Sequence, residues 1–193
     1  MEFDEKQEVA AALLQRFADL YDVAIPKKLQ AFFASGAAFN CEGKCAKLDV
    51  PGYEPGTFRL VTVPPSWEAA AAANLDDAIV GEDGEWEDAD RFVPIFGVDQ
   101  SSYIVAKIDD PSCPVGVFNE ENFREDGDGY TTGVYMIAKS LDEFRAALVE
   151  VGEDEADYET EGDDDLWEEI ADELDEEEGD EDEDEDEEKD EDE

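Results

Sequence analysis

Residues 91–108, RFVPIFGVDQSSYIVAKI, decide the fold that the sequence predicts. They contain two apolar runs, residues 92–96 and 103–108, separated by the turn-forming residues 97–102. Aromatic and β-branched residues bounded by such a segment are typical of two strands joined as a hairpin with a loop of several residues. In the second run one set of alternating positions is wholly apolar, as in a strand with one buried face. We therefore expect this hairpin to lie at the centre of a sheet.

Two helices are predicted upstream of the hairpin. Residues 3–21 place apolar side chains on one stripe of a helix: Val9, Leu13, Leu14, Phe17, Leu20 and Tyr21. Pro26 favours the start of a second, shorter helix, because proline suits the first helical position. That helix would turn Leu29, Phe32 and Phe33 inward and end at Gly36.

The segment between these helices and the hairpin begins with a predicted strand. The alternating run TFRLVTV, residues 57–63, is typical of a single strand that the following Pro64-Pro65 ends. Ser66 is placed to cap a helix that starts at Trp67 and continues through the alanines. Residues 76–90 surround Trp86 with carboxylates and indicate an exposed loop.

Two more strands and a helix are predicted after the hairpin. Residues 115–118 and 130–138 have strand-like composition, and residues 119–129 between them are polar. Ser140 and Glu143 form the S-x-x-E pattern of a capping box. The helix that they open would carry Leu141, Phe144, Leu148 and Val151 on one side.

The charge of the chain is strongly acidic and unevenly distributed. The 193 residues include 13 Lys and Arg, 59 Asp and Glu and no His, for a net charge of −46. Residues 1–150 contribute −17 and residues 151–193 contribute −29. We therefore expect a globular domain over residues 1–151 and an acidic tail over residues 152–193. Helical spacing of Leu166, Trp167, Ile170 and Leu174 predicts a possible short helix over 163–174, and residues 175–193 are expected to be disordered.

Composition excludes several classes of function. So negative a chain should bind neither nucleic acid nor an anionic membrane, because like charges repel. A charged N-terminus without an apolar segment predicts no signal peptide, and no apolar run is long enough for a membrane span, so a cytoplasmic location is expected. Without His, no nucleophile–histidine pair exists, and we expect no enzyme activity and no cofactor.

The three cysteines are Cys41, Cys45 and Cys113. A zinc site built from all three and a carboxylate is conceivable, because Cys41 and Cys45 have a C-x3-C spacing. Ordinary reduced thiols are the favoured interpretation, and no metal site is expected.

Taken in chain order, the elements resemble the SUKH superfamily, which includes the yeast Smi/Knr cell-wall regulators and many bacterial toxin-immunity proteins. The resemblance rests on residues 23–33, VAIPKKLQAFF, on the hairpin segments 92–97 and 103–108, and on segments 115–118 and 136–144. It covers about residues 10–150. It implies an α+β fold, with a mainly antiparallel sheet and N- and C-terminal helices packed on it, and a non-catalytic protein-binding role.

Two places are candidates for binding a partner. The acidic loop around Trp86 is interpreted either as a solvated loop whose tryptophan packs on the core, or as an aromatic anchor ringed by carboxylates that meets a basic protein. Its candidate residues are Asp83, Glu85, Trp86, Glu87, Asp88 and Asp90. In the tail, Trp167 and Ile170 could form a helical docking motif on an arm that attracts a cationic protein; the alternative is a tail that only aids solubility.

Two functional hypotheses follow. In the first, an immunity-type protein neutralises a basic partner, such as a nuclease toxin, by occluding its active groove. In the second, the chain is an acidic-tailed chaperone or buffer for basic proteins or divalent cations. The first predicts one tightly bound partner, and the second predicts many weak ones that depend on the tail.

Overall fold

The computed structural model describes residues 1–50, 55–69, 91–99, 102–119, 133–150 and 164–180. Its helices are α1 (Phe3–Tyr21), α2 (Lys27–Ala34), a 3-10 turn (Phe39–Cys41), α3 (Leu141–Ala147) and α4 (Asp164–Asp180). Its strands are β1 (Cys45–Leu48), β2 (Gly56–Arg59), β3 (Val61–Thr62), β4 (Phe92–Asp99), β5 (Ser102–Lys107), β6 (Val115–Asn119) and β7 (Val134–Ala138). The predicted acidic loop at 76–90, most of the polar segment after residue 119, and residues 181–193 lie outside these ranges.

The main sheet has five strands in the order β3-β4-β5-β6-β7. Every neighbouring pair in it is antiparallel, and β1 and β2 form a separate antiparallel pair. Helices precede the sheet in the chain and follow it. The predicted α+β class with a mainly antiparallel sheet is therefore confirmed.

The predicted hairpin is present as β4, which is three residues longer than expected, and β5, which has the expected length but begins one residue earlier. Asp99 pairs with Ser102, so the connection is shorter than the predicted loop of several residues. The register shifts between Pro94 and Phe96, which leaves Ile95 as the extra residue of a bulge. Residues 102–106 are all buried, so both faces of β5 are covered rather than one.

Aromatic side chains cover the two faces of the sheet. On one face, the Phe96 ring lies 6.1 Å from that of Phe32 in α2 and 6.1 Å from that of Phe144 in α3. On the other face, the Trp67 ring packs edge-on against Phe118 at 5.3 Å and Tyr103 at 6.0 Å. The sheet is thus enclosed from both sides around β5.

Trp67 is fixed by hydrogen bonds as well as by packing. Its Nε1 donates to the Phe92 carbonyl at 3.0 Å, and its side chain is 1% exposed. The Ala69 N–H donates to Ser66 Oγ at 3.0 Å, which confirms Ser66 as the cap of the helical turn that starts at Trp67. The continuation of that predicted helix lies outside the described residues.

The prediction of one strand over residues 57–63 is wrong. The chain divides at Leu60, with β2 pairing to β1 and β3 pairing to β4. The Leu60 N–H donates to the Lys44 carbonyl at 2.9 Å, and the Leu60 carbonyl accepts from the Gly43 N–H at 3.0 Å. Leu60 is fully buried, so it anchors the change of partner. Strand β1, with which β2 pairs, was not predicted.

The predicted inward faces of the helices are largely confirmed. Buried residues are Val9, Leu13, Leu14 and Phe17 in α1, Leu29, Phe32 and Phe33 in α2, and Leu141 and Phe144 in α3. Leu20 was expected in the α1 stripe but is 61% exposed, whereas its neighbours Ala18 and Tyr21 are partly buried against the core. Leu148 follows α3 rather than belonging to it, and Val151 lies outside the described ranges.

The start of α3 departs slightly from a capping box. The Glu143 N–H donates to Ser140 Oγ at 3.1 Å, as predicted. The Glu143 carboxylate, however, accepts from the Lys139 N–H at 2.8 Å. Both interactions satisfy backbone N–H groups at the beginning of the helix.

Two glycines with positive φ provide a matched test of packing. Gly36 follows α2 with a φ of +70°, and a Cβ there would overlap the Phe3 ring of α1. Gly43 has a φ of +75° and open space around the Cβ position. We expect Gly43→Ala to cost about 1–2 kcal/mol from backbone strain alone. Gly36→Ala should cost more, because Phe3 must also leave its edge-on contact with Phe39 at 5.4 Å.

Urea unfolding of both variants measures this difference in the free energy of unfolding. Equal losses of unfolding free energy in the two variants would show that the contact between Phe3 of α1 and Gly36 after α2 contributes nothing to stability.

Candidate functional site

The loop residues Asp83, Glu85, Trp86, Glu87, Asp88 and Asp90 lie outside the described residues. Their role in binding therefore stays a prediction. The other two candidates, Trp167 and Ile170, lie in α4, which starts at Asp164 as expected but runs to Asp180, past the predicted end at residue 174.

The apolar stripe of α4 is buried within the chain itself. Leu166, Trp167 and Ile170 are 8%, 3% and 7% exposed, and α4 packs against α1. Ala171 and Leu174 are partly buried against the same core. One side of α4 is thus apolar and covered, although the helix holds eleven carboxylates and no basic residue.

Trp167 joins α4 to an aromatic cluster at the start of the chain. Its ring lies 5.7 Å from that of Phe39, which in turn contacts Phe3 at 5.4 Å and Phe33 at 6.3 Å. Lys6 Nζ stands 5.9 Å from the centre of the Trp167 ring, within range of a cation–π interaction. In this state Trp167 is occupied by its own chain, and its role as a partner-docking residue stays a prediction.

A cavity of about 550 Å³ lies between α1 and α4. Its apolar lining includes Val9 and Ala12 of α1 and Ala171 and Leu174 of α4. Four carboxylates also line it, two from each helix: Glu5, Glu8, Glu168 and Asp172. We call this cavity and the helix faces around it the α1–α4 seam.

Two cationic groups reach the α1–α4 seam. The Met1 α-amino group is 2.7 Å from Glu168 Oε1, and Lys6 lies over Trp167. Glu168 is 60% exposed, so solvent weakens its ion pair with Met1. Glu5 Oε2 accepts from the Glu2 N–H at 2.7 Å, at the beginning of α1. The seam therefore combines apolar side chains with an excess of carboxylates.

A second groove, of about 450 Å³, lies between α1 and α2. Its lining is apolar apart from Gln15 and Gln30, whose amide nitrogens donate to Asp19 Oδ1 and to the Ile25 carbonyl. It presents no titratable side chain, and we assign it no chemistry.

The cysteines are buried free thiols, 3% exposed at Cys41 and fully buried at Cys45 and Cys113. Burial raises the pKa of the Cys41 thiol, although Arg145 and Lys44 oppose this. Burial likewise raises the pKa of the Cys113 thiol, although the Leu29 backbone N–H and Lys28 oppose it. Within the described ranges, no three Cys, Asp or Glu side chains come together in a way that could hold a metal ion.

One exposed ion pair links α2 to α3. Lys28 Nζ is 2.8 Å from Asp142 Oδ2. This hydrogen bond raises the pKa of Lys28 and lowers the pKa of Asp142. These shifts favour the charged forms of both groups, so the pair is an exposed contact between two helices and is not tuned to exchange a proton near neutral pH.

Among the described residues, no helix combines the length and apolar composition that crossing a bilayer requires. Comparison of the chain with family models, with curated proteins and with solved structures found no match. The SUKH resemblance therefore rests on the quoted sequence segments alone.

Replacing Trp167 tests what holds α4 in place. Truncating a buried tryptophan to alanine costs about 3–5 kcal/mol, so Trp167→Ala should release α4 from α1. Hydrogen exchange of residues 164–174 should accelerate strongly, while β5 amides stay protected. Glu169→Ala, on an exposed position of the same helix, is the control and should leave both segments unchanged. Equal exchange of α4 in the two variants would contradict the assigned contact.

The thiols should be unreactive in the folded protein. Thiolate is the reactive form, and burial both blocks access and, at Cys41 and Cys113, raises the pKa. We expect Ellman's reagent at pH 8 to modify the native chain slowly and all three cysteines rapidly in guanidinium chloride. Rapid modification of one thiol under native conditions would show that its surroundings open.

Proposed function

We propose that this protein is a non-catalytic binding module that neutralises a basic protein. The observation that best supports the proposal is the α1–α4 seam, in which four carboxylates and several apolar side chains line one cavity. Interfaces with basic partners need both parts, since buried apolar anchors supply affinity and complementary charge supplies specificity and rate. The resemblance to SUKH proteins, on residues 10–150, points to the same class.

Charge would govern how the partner arrives. A net charge of −46 attracts a cationic surface over long distances and can raise association rates by about 10–10³ at low salt. The same charge repels nucleic acid and anionic lipid. A partner with a groove for nucleic acid, such as a nuclease toxin, presents the complementary cationic surface. Binding would occlude that groove, and this mechanism places the protein in the cytoplasm with its target.

The proposal is tested by affinity capture with the full-length protein and with a chain ending at residue 180. This truncation keeps α4, whereas ending the chain at residue 151 would remove α4 and uncover the seam. Captured proteins are compared between about 0.05 and 0.5 M NaCl, a range over which surface electrostatics weakens strongly.

We expect one basic protein to remain bound to both chains at the higher salt concentration. Replacing Glu8 and Asp172 in the seam with Gln and Asn should weaken that binding, whereas replacing the exposed Glu169 and Glu173 with Gln should affect it less. If instead many cationic proteins bind, need residues 181–193 and dissociate in salt, the chain is a chaperone or buffer and the proposal is wrong.

A further inference from the structure

We propose that α4 is a strap whose docking on α1 is opposed by like charge and is therefore tightened by ionic strength. The proposal concerns the chain alone and does not require that a partner exists.

Apolar contacts hold the strap in place. Leu166, Trp167 and Ile170 are each more than nine-tenths buried. Burying apolar side chains of this size is strongly favourable. These contacts are insensitive to moderate concentrations of simple salt, so they set a constant docking free energy.

Charge acts in the opposite direction. Glu5 and Glu8 of α1 share the lining of one cavity with Glu168 and Asp172 of α4. The Met1 amine pairs with Glu168 and Lys6 lies over Trp167, but α4 contains eleven carboxylates without one basic residue, and residues 1–150 carry −17. Docking α4 therefore brings negative charge onto a negative surface.

Salt changes this balance in a defined direction. The screening length falls from about 30 Å at 0.01 M to about 3 Å at 1 M, so repulsion between these exposed carboxylates is lost as salt rises. The apolar attraction then acts unopposed. Low ionic strength should loosen the strap, uncovering Trp167 and the surface of α1 and Phe39 that it covers.

The test is hydrogen exchange of the full chain at constant pH, over about 0.01–0.5 M NaCl. Protection of α4 amides reports the ratio of docked to released helix even when release is rare. Because each exposed like-charged pair contributes only a small repulsion, we expect protection of residues 164–174 to rise about two- to fivefold with salt. Amides of β5 report global unfolding and serve as the internal reference.

Two double variants with the same change in net charge distinguish an effect of the seam carboxylates from an effect of the overall charge. In Glu8→Gln with Asp172→Asn, α4 should be better protected at low salt, and its salt response should flatten. In Glu169→Gln with Glu173→Gln, the altered residues are likewise exposed but lie outside the cavity lining, and the wild-type response of α4 protection to salt should persist.

The proposal is overturned if α4 protection falls with salt, if α4 and β5 respond by the same factor, or if the two variants behave alike. None of these outcomes bears on whether a basic partner binds. The proposed function and the strap can therefore fail separately.

Discussion

The antiparallel pairing of β4 with β5 is the constraint on which the rest of the structure depends. Both faces of β5 are buried over residues 102–106, so this hairpin cannot be stable without a layer on each side. The helices α2 and α3 supply one layer through Phe32 and Phe144, which meet on Phe96. Trp67 supplies the other and is tied to β4 through the Phe92 carbonyl. Elements distant in sequence are thus positioned by one pair of strands.

The acidity of the chain is accommodated because charge and packing use different sides of the same helix. In α4, Leu166, Trp167 and Ile170 enter the core, whereas Glu169 and Glu173 stay in solvent. Exposed carboxylates in water repel weakly at ordinary ionic strength, so a few buried anchors outweigh many of them. The proposed cost arises where the helices meet, because Glu8 and Asp172 line the same cavity.

Sequence predicts the local features of this fold and misses those that depend on distant partners. The hairpin, the helix after Pro26 and the Ser66 and Ser140 caps follow from composition and spacing over a few residues. Pro26 itself is the N-cap of α2 and not its first helical residue as predicted, because its ψ of 134° is extended. The division of the strand at Leu60 cannot be predicted from composition and spacing, because alternation over residues 57–63 suits one strand as well as two. Hydrogen bonds between Leu60 and the distant residues Gly43 and Lys44 determine where the strand divides. Likewise, spacing shows that Trp167 has an apolar face to bury but not which surface covers it. The acidic loop around Trp86 was found by composition alone, and its place in a site stays a prediction.

If the α1–α4 seam binds a basic partner as proposed, the same carboxylates serve binding and folding, with opposite responses to salt. Salt weakens attraction between Glu8 or Asp172 and a cationic partner, but it relieves repulsion between those residues inside the chain. A basic partner bound at the seam would reduce the repulsion between these carboxylates by its positive charge, as salt reduces it by screening. Binding should therefore tighten α4 on α1 rather than displace it, because the same neutralisation favours both events. Displacement of α4 would require instead that the partner compete for the Phe39 surface on which Trp167 packs.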